Sequence, residues 1–138
     1  MDHLSPVARS RLMASIGSVN TTPELAVRRL VHAMGYRYAL HRHDLPGSPD
    51  LVLPARGAVI FVHGCFWHRH RCRRGQSVPS TRTAYWTAKF DRNVARDRRT
   101  QRQLRADGWR VGVVWECQTR PTRLDTLAKR LDRLLQAG

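Results

Sequence analysis

Cys65, His68, His70 and Cys72 fall within eight residues, and Cys117 follows far downstream. Two thiolates and an imidazole at that spacing can surround one tetrahedral Zn²⁺, whose bonds run ~2.0–2.3 Å. Cys65 lies just past one apolar run, Ala58–His63, and Cys117 just past another, residues 109–115. If these runs are neighbouring parallel strands, their ends converge and Cys117 completes a Cys₃His set. A cation there would order a loop that has no apolar core of its own. The competing account is three buried free thiols, a common fate for cysteine. Against it, every cysteine sits at a strand end or in a polar loop, and an odd count cannot pair fully within one chain. Spacing alone leaves open whether His68 or His70 is the nitrogen ligand.

Among the acids, Asp50 stands alone in the neutral stretch 46–68, at the start of an apolar run after Leu-Pro-Gly-Ser-Pro. Hydrolysing a phosphodiester with Mg²⁺ requires a hard oxygen ligand near the scissile phosphate, and a carboxylate at a strand end beside a basic face supplies one. Glu24, in the first turn of a helix, can reach the same cation through water, although an acid there also complements the helix dipole. His63 and His68 flank the cysteine loop, where a histidine titrating near neutrality can move protons to and from water or a leaving oxygen. Phe66 and Trp67 sit inside that loop rather than on a strand or an amphipathic face. Rings so placed on a basic surface can wedge between DNA base steps, and Trp86 can join them. Trp109 and Trp115 lie on an apolar run and are expected in the core.

The elements that must position these groups follow from length, charge and periodicity. The chain has 138 residues, 41% of them hydrophobic, which suits one compact domain and no disordered tail. No run approaches the ~20 apolar residues of a membrane span, and MDHLSPVARSRLMASIG lacks the apolar block of a secretory signal. A secreted disulfide scaffold and a membrane protein are therefore not expected, and a cytoplasmic location is. The formal charge is +15, of which +10 falls in residues 69–105. Arginine-rich composition alone does not cluster charge, so this segment reads as a polyanion-binding face with nucleic acid as its partner. Ser5-Pro6 opens a helix to about Ile16. Thr22-Pro23 opens a second, with Val27, Leu30, Val31 and Met34 on one face and Gly35 as its stop. Strands are expected at 36–40, 50–53, 58–63 and 109–115, with an aperiodic loop over 64–80. A polar helix is expected over 81–106, with Phe90 as a point where it could break. Leu124, Leu127, Leu131, Leu134 and Leu135 space out a last amphipathic helix from Pro121. The order α-α-β-β-β-α-β-α implies a central sheet flanked by helices.

The runs FVHGCFWHRHRC (61–72), LHRHDLPGSPDLVLP (40–54), TRTAYWTAKFDRNVARDRR (81–99) and GWRVGVVWEC (108–117) resemble the very-short-patch repair (Vsr) endonucleases. The likeness runs in order from about Arg9 to Cys117. It implies a restriction-endonuclease-like α/β fold. This would be a single domain over 1–138 with a central mixed sheet flanked by helices, a structural zinc site, an N-terminal helical arm (about 1–20) and a C-terminal amphipathic helix (about 121–136). It implies a Mg²⁺-dependent nick in one strand, 5′ to the T of a T:G mismatch left by deaminated 5-methylcytosine. By that resemblance Asp50 and the backbone carbonyl of Val62 bind Mg²⁺, and Glu24 acts through water. His63 and His68 serve the scissile phosphate and the proton transfers. Zinc falls to Cys65, His70, Cys72 and Cys117. Phe66, Trp67 and Trp86 wedge in from the major groove, Met13 approaches from the minor groove, and Lys89 and Asn93 read the mismatch. The implied partners are double-stranded DNA carrying a T:G mismatch, general mismatch-repair proteins and a cytosine-5 methyltransferase, with the protein monomeric.

Three departures accompany the likeness. Phe61-Val62-His63 stands where related nucleases of the fold carry an acid and a lysine, a substitution the Vsr branch shares. Val62 replaces the threonine of some members, which a carbonyl ligand tolerates. Gly75-Gln76 makes the stretch after Cys72 polar. Two rival classes remain: a related nicking nuclease without T:G preference, and a zinc-stabilised DNA-binding protein without catalysis. Asp50, His63 and His68 speak against the second rival, and the Phe66-Trp67 pair against the first.

Overall fold

The fold is that of a computed structural model, which describes residues 21–136. Met13 and the expected arm over 1–20 lie outside the described residues. The first described helix, α1 (Thr22–Ala33), is capped one residue earlier than its Thr-Pro signature suggests. The Thr21 hydroxyl accepts the Glu24 N–H at 3.3 Å, with Pro23 in the first turn. Gly35 follows with φ +88°, the left-handed conformation that ends a helix without a Cβ penalty.

Four strands follow: β1 (Ala39–Leu40), β2 (Leu51–Leu53), β3 (Ala58–His63) and β4 (Arg110–Trp115). They lie in the order β1-β2-β3-β4, with the first two pairings antiparallel and β3–β4 parallel. β1 is shorter than the 36–40 expected, because Tyr36 turns its ring into the core and its hydroxyl to Asp132 at 2.8 Å. The β3–β4 ladder runs from Ala58↔Arg110 to His63↔Trp115, so the two strands end side by side.

Between β3 and β4 the chain forms α2 (Cys65–His68), α3 (Arg73–Gln76) and α4 (Thr83–Ala106). The expected loop 64–80 thus contains two single-turn helices, too short for periodicity to reveal. α4 runs unbroken through Phe90, which is buried and anchors the helix rather than interrupting it. A 3-10 turn over Pro121–Arg123 leads into α5 (Leu124–Gln136), which buries Leu127, Leu131 and Leu135.

Strand alternation splits the core into two layers. Leu51, Leu53, Ala58 and Ile60 pack with Val27 and Val31 of α1 and with the buried leucines of α5. Val52, Val59 and Phe61 face the other way, onto Leu104 of α4, with Trp109, Val111 and Val113 against them. The mixed sheet therefore lies between α1 and α5 on one face and α4 on the other. The alternation also aims His63, two residues after Phe61, toward α4.

Candidate active site

The parallel pairing of β3 with β4 brings Cys65 and Cys117 together, as the sequence suggested for neighbouring strands. The donor atoms of Cys65, His70, Cys72 and Cys117 all lie within 4.8 Å of one another. His70 Nδ1 is 3.9 Å from the Cys65 sulfur and 3.5 Å from that of Cys117. Ligands of a tetrahedral ion with bonds of ~2.0–2.3 Å stand roughly 3.3–3.8 Å apart, so this donor set fits Zn²⁺. Of the two histidines that spacing left open, His70 is the one in the cluster. Burial pushes the Cys65 thiol up to about 12, whereas the hydrogen bond with His70 brings Cys72 down to about 6. Trp115, expected in the core, is half-buried and stacks on His70 with ring centroids 4.5 Å apart. Gly75 backs directly onto this loop: a Cβ there would stand 1.9 Å from the His70 carbonyl oxygen.

At the same end of the sheet, His63 leaves β3 and stacks on His68 of α2, centroids 3.8 Å apart. His68 Nδ1 meets Asp97 Oδ2 of α4 at 2.6 Å. His63 is 5% exposed, and its Nδ1 has no hydrogen-bond partner among the described residues. Burial, reinforced by the charge of His68, drives the His63 imidazole down to about 3. His63 is therefore neutral at physiological pH, unlike the near-neutral titration expected from the sequence. Asp97 was not singled out from the sequence. It lies eleven residues after Trp86, on the same face of α4 as Trp86, Phe90 and Asn93, and that 3.6-residue spacing was the available signal.

The acids form a third group. Asp50, immediately before β2, accepts the Val62 N–H at 2.6 Å and so extends the β2–β3 pairing by a side-chain bond. Glu24 of α1, only 2% exposed, takes Arg28 Nη2 at 2.7 Å and is in contact with His41 Nε2. Donor atoms of Glu24, His41 and Asp50 lie within 4.8 Å of one another. Burial pushes Asp50 up to about 6, the Val62 N–H works against that, and the nearby Glu24 carboxylate adds to it. Burial also acts to raise Glu24, but the hydrogen bonds from Arg28 and His41 outweigh it and hold that carboxyl below its ordinary value. Two close carboxylates, one of them raised by burial and further by its neighbour, are a donor set that a hard divalent cation would relieve.

Phe66 and Trp67, on α2, meet Trp86 and Phe90 of α4. Phe66 sits edge-on to Trp67 and to Phe90, each at 5.1 Å, and Trp67 is 5.8 Å from Trp86. Lys89 Nζ lies 5.2 Å from the Trp67 ring and 5.7 Å from that of Trp86, and Asn93 Nδ2 donates to the Trp67 carbonyl at 3.3 Å. These five expected DNA-contacting residues thus form one contiguous surface. Most arginines of segment 69–105 are exposed.

The family profile described as DNA mismatch endonuclease Vsr matches residues 1–74. Over 97% of its length the chain is 53% identical to the Type II nicking enzyme V.XorIIP of Xanthomonas oryzae pv. oryzae, covering 96% of that protein. The chain belongs to the Vsr family of endonucleases. It is also 43% identical, over 81% of its length and 71% of the relative's, to the DNA mismatch endonuclease Vsr of Escherichia coli. In fold this Vsr-family chain is similar to the catalytic domain of the homing endonuclease I-Bth0305I. The TM-score is 0.58 at 19% identity, over 83% of this chain and 94% of that one. Vsr membership makes the chain an enzyme that cuts DNA, and among the described residues no helix is long and apolar enough to cross a membrane.

Proposed function

We propose that this Vsr-family endonuclease nicks one strand 5′ to the T of a T:G mismatch in a Mg²⁺-dependent reaction, acting on double-stranded DNA as a single-domain monomer, with a structural Zn²⁺ held by Cys65, His70, Cys72 and Cys117. The observation that carries the reading is the economy of the β3–α2 junction. Within seven residues it supplies Val62 beside Asp50, the stacked His63 and His68, a cysteine of the Cys/His cluster, and the aromatic pair Phe66-Trp67. A metal clamp, a proton-transfer pair and a wedge on one rigid unit suit an enzyme that must recognise a distorted base pair and cut beside it.

The Mg²⁺ would be held by Asp50 and the carbonyl oxygen of Val62, with Glu24 acting through water; when bound it supplies Lewis-acid polarisation of the phosphate and an acidified water. His68, its Nδ1 occupied by Asp97, presents Nε2 to an attacking or leaving oxygen and can take up or release a proton there. His63, being neutral, contributes a hydrogen bond to the phosphate rather than a charge. Exposed arginines of segment 69–105 neutralise backbone phosphates, which fixes register without reading sequence. Phe66, Trp67 and Trp86 open the stack at the mismatch, and Lys89 and Asn93 lie beside them to read it.

The decisive assay is single-turnover nicking of matched T:A and mismatched T:G duplexes, with and without Mg²⁺, by the wild type and by Asp50→Ala. The expected result is Mg²⁺-dependent nicking confined to T:G and abolished in Asp50→Ala, with DNA affinity nearly intact. Equal nicking of both duplexes would remove the mismatch preference, and wild-type nicking by Asp50→Ala would remove Asp50 as the catalytic ligand.

A further inference from the structure

His41 lies within the run 40–54 but has no role assigned from the sequence, yet it reaches the acids. Its backbone adopts φ +47°, in the left-handed region that a non-glycine residue enters at a cost. It follows β1 directly, and its N–H donates to the Asp50 carbonyl at 3.3 Å, so β1–β2 pairing ties its position to that of Asp50. From there the imidazole crosses to α1 and places Nε2 on Oε1 of Glu24, the oxygen that also accepts from Arg28 at 2.7 Å. Two donors from different elements converge on one oxygen of a carboxylate that is almost wholly buried.

We propose that His41 is a positioning residue of the cation site: with Arg28 it fixes the Glu24 carboxylate against Asp50, without itself binding the cation. A ring nitrogen whose proton is directed at a carboxylate has no lone pair to offer a metal. A partner of this kind, which orients a carboxylate at a metal site, typically accounts for about 10-fold to 100-fold in metal affinity. Had His41 been a ligand, a nitrogen donor among oxygens would shift preference from Mg²⁺ toward Mn²⁺.

This inference rests on the reading of Asp50 and Glu24 as the cation site, and its test separates the two. Mn²⁺ binding to the full chain is followed by electron paramagnetic resonance, Mg²⁺ binding by competition, and folding by thermal melting, for the wild type, His41→Ala, His41→Gln and Asp50→Asn. His41→Ala should lose about tenfold in affinity for both ions with an unchanged Mn²⁺ to Mg²⁺ ratio and little change in melting. His41→Gln, whose amide nitrogen can still donate to Glu24, should recover most of the loss. Loss in Asp50→Asn with none in His41→Ala overturns the positioning role alone. A falling Mn²⁺ to Mg²⁺ ratio in His41→Ala, unrescued by glutamine, also overturns it and makes His41 a ligand. No binding by the wild type, or unchanged binding in Asp50→Asn, overturns the cation-site reading and the role of His41 with it.

Discussion

The rings of His63 and His68 lie face to face, 3.8 Å between centroids and within 6° of parallel. An imidazole binds a metal in its own plane, so an ion in the plane of one ring stands well out of the plane of the other. Although His63, His68 and Asp97 bring three donor atoms within 4.8 Å, the stacking excludes the two histidines as joint ligands of one ion. It leaves a stacked pair in which burial pushes the His63 imidazole down to about 3 and Asp97 fixes His68.

That arrangement predicts the effect of Asp97→Asn. An asparagine can turn its NH₂ toward Nδ1 of His68 and favour the tautomer with its proton on the wrong nitrogen. The single-turnover rate should fall by about a hundredfold while DNA affinity stays close to wild type and the melting temperature drops by only about a few degrees. A wild-type rate in the folded variant would deny His68 its proton-transfer role.

The same contact should shape acid stability. Burial acts to raise the Asp97 carboxyl, but the hydrogen bond and charge of His68 outweigh it and hold the group below its ordinary 3.8. A carboxyl depressed in the folded state adds stability that is fully present above its unfolded value and is lost as pH falls through the folded one. Urea unfolding of the wild type and Asp97→Asn should therefore differ by ~1 kcal/mol near pH 6, and the gap should close as the pH falls below the carboxyl's ordinary 3.8. A gap that stays constant across that range would show that the pair adds no pH-dependent stability.

Gly75 offers a test of the cysteine loop that leaves every candidate ligand in place. A Cβ there meets the His70 carbonyl oxygen at 1.9 Å and the His70 nitrogen and carbonyl carbon at 2.6 Å, all backbone atoms that no rotamer change can move. Gly75→Ala must therefore displace His70. It should cost on the order of 1–3 kcal/mol and lower the zinc content of the purified protein below one per chain. Full zinc occupancy at unchanged stability would mean that the loop is not locked by this contact.

How much of this was legible in the sequence differs from group to group. The apolar runs of β2, β3 and β4 and the leucine spacing of α5 announce the sheet and its helical cover, because periodicity survives in elements of several residues. α2 and α3 are one turn each, and no pattern can declare a helix of four residues. Cys65, Cys72 and Cys117 could be grouped once parallel strands were supposed; spacing left His68 and His70 equal and the resemblance alone favoured His70, which the structure places in the cluster because α2 ends at His68 and turns back through Arg69 at φ +57°. His41 and Asp97 went unnoticed for a related reason. Each acts across a gap in the chain, 17 residues to Glu24 and 29 to His68, where only the packing of separate elements sets the distance.

If the aromatic pair is a wedge, selectivity should turn on Trp67. Its ring is half-buried against Phe66 and Trp86, with Lys89 over it and Asn93 holding its carbonyl. Inserting aromatic rings between base steps costs a few kcal/mol of unstacking per step, and a T:G wobble is already weakly stacked and paired. A difference of ~1.4 kcal/mol between T:G and T:A gives tenfold discrimination before any base edge is read. Trp67→Ala removes the ring but leaves its backbone carbonyl bonded to Asn93 and leaves Asp50, His68 and the Cys/His cluster untouched. The variant should keep its fold and zinc and lose most of its activity on T:G, so that the ratio of T:G to T:A rates drops by about tenfold or more. If Trp67 only packs beneath the loop, the melting temperature falls instead and the ratio per folded molecule is preserved. Single-turnover rates on both duplexes, measured beside a melting curve, separate the two, and an unchanged ratio in a folded variant would remove Trp67 from the wedge.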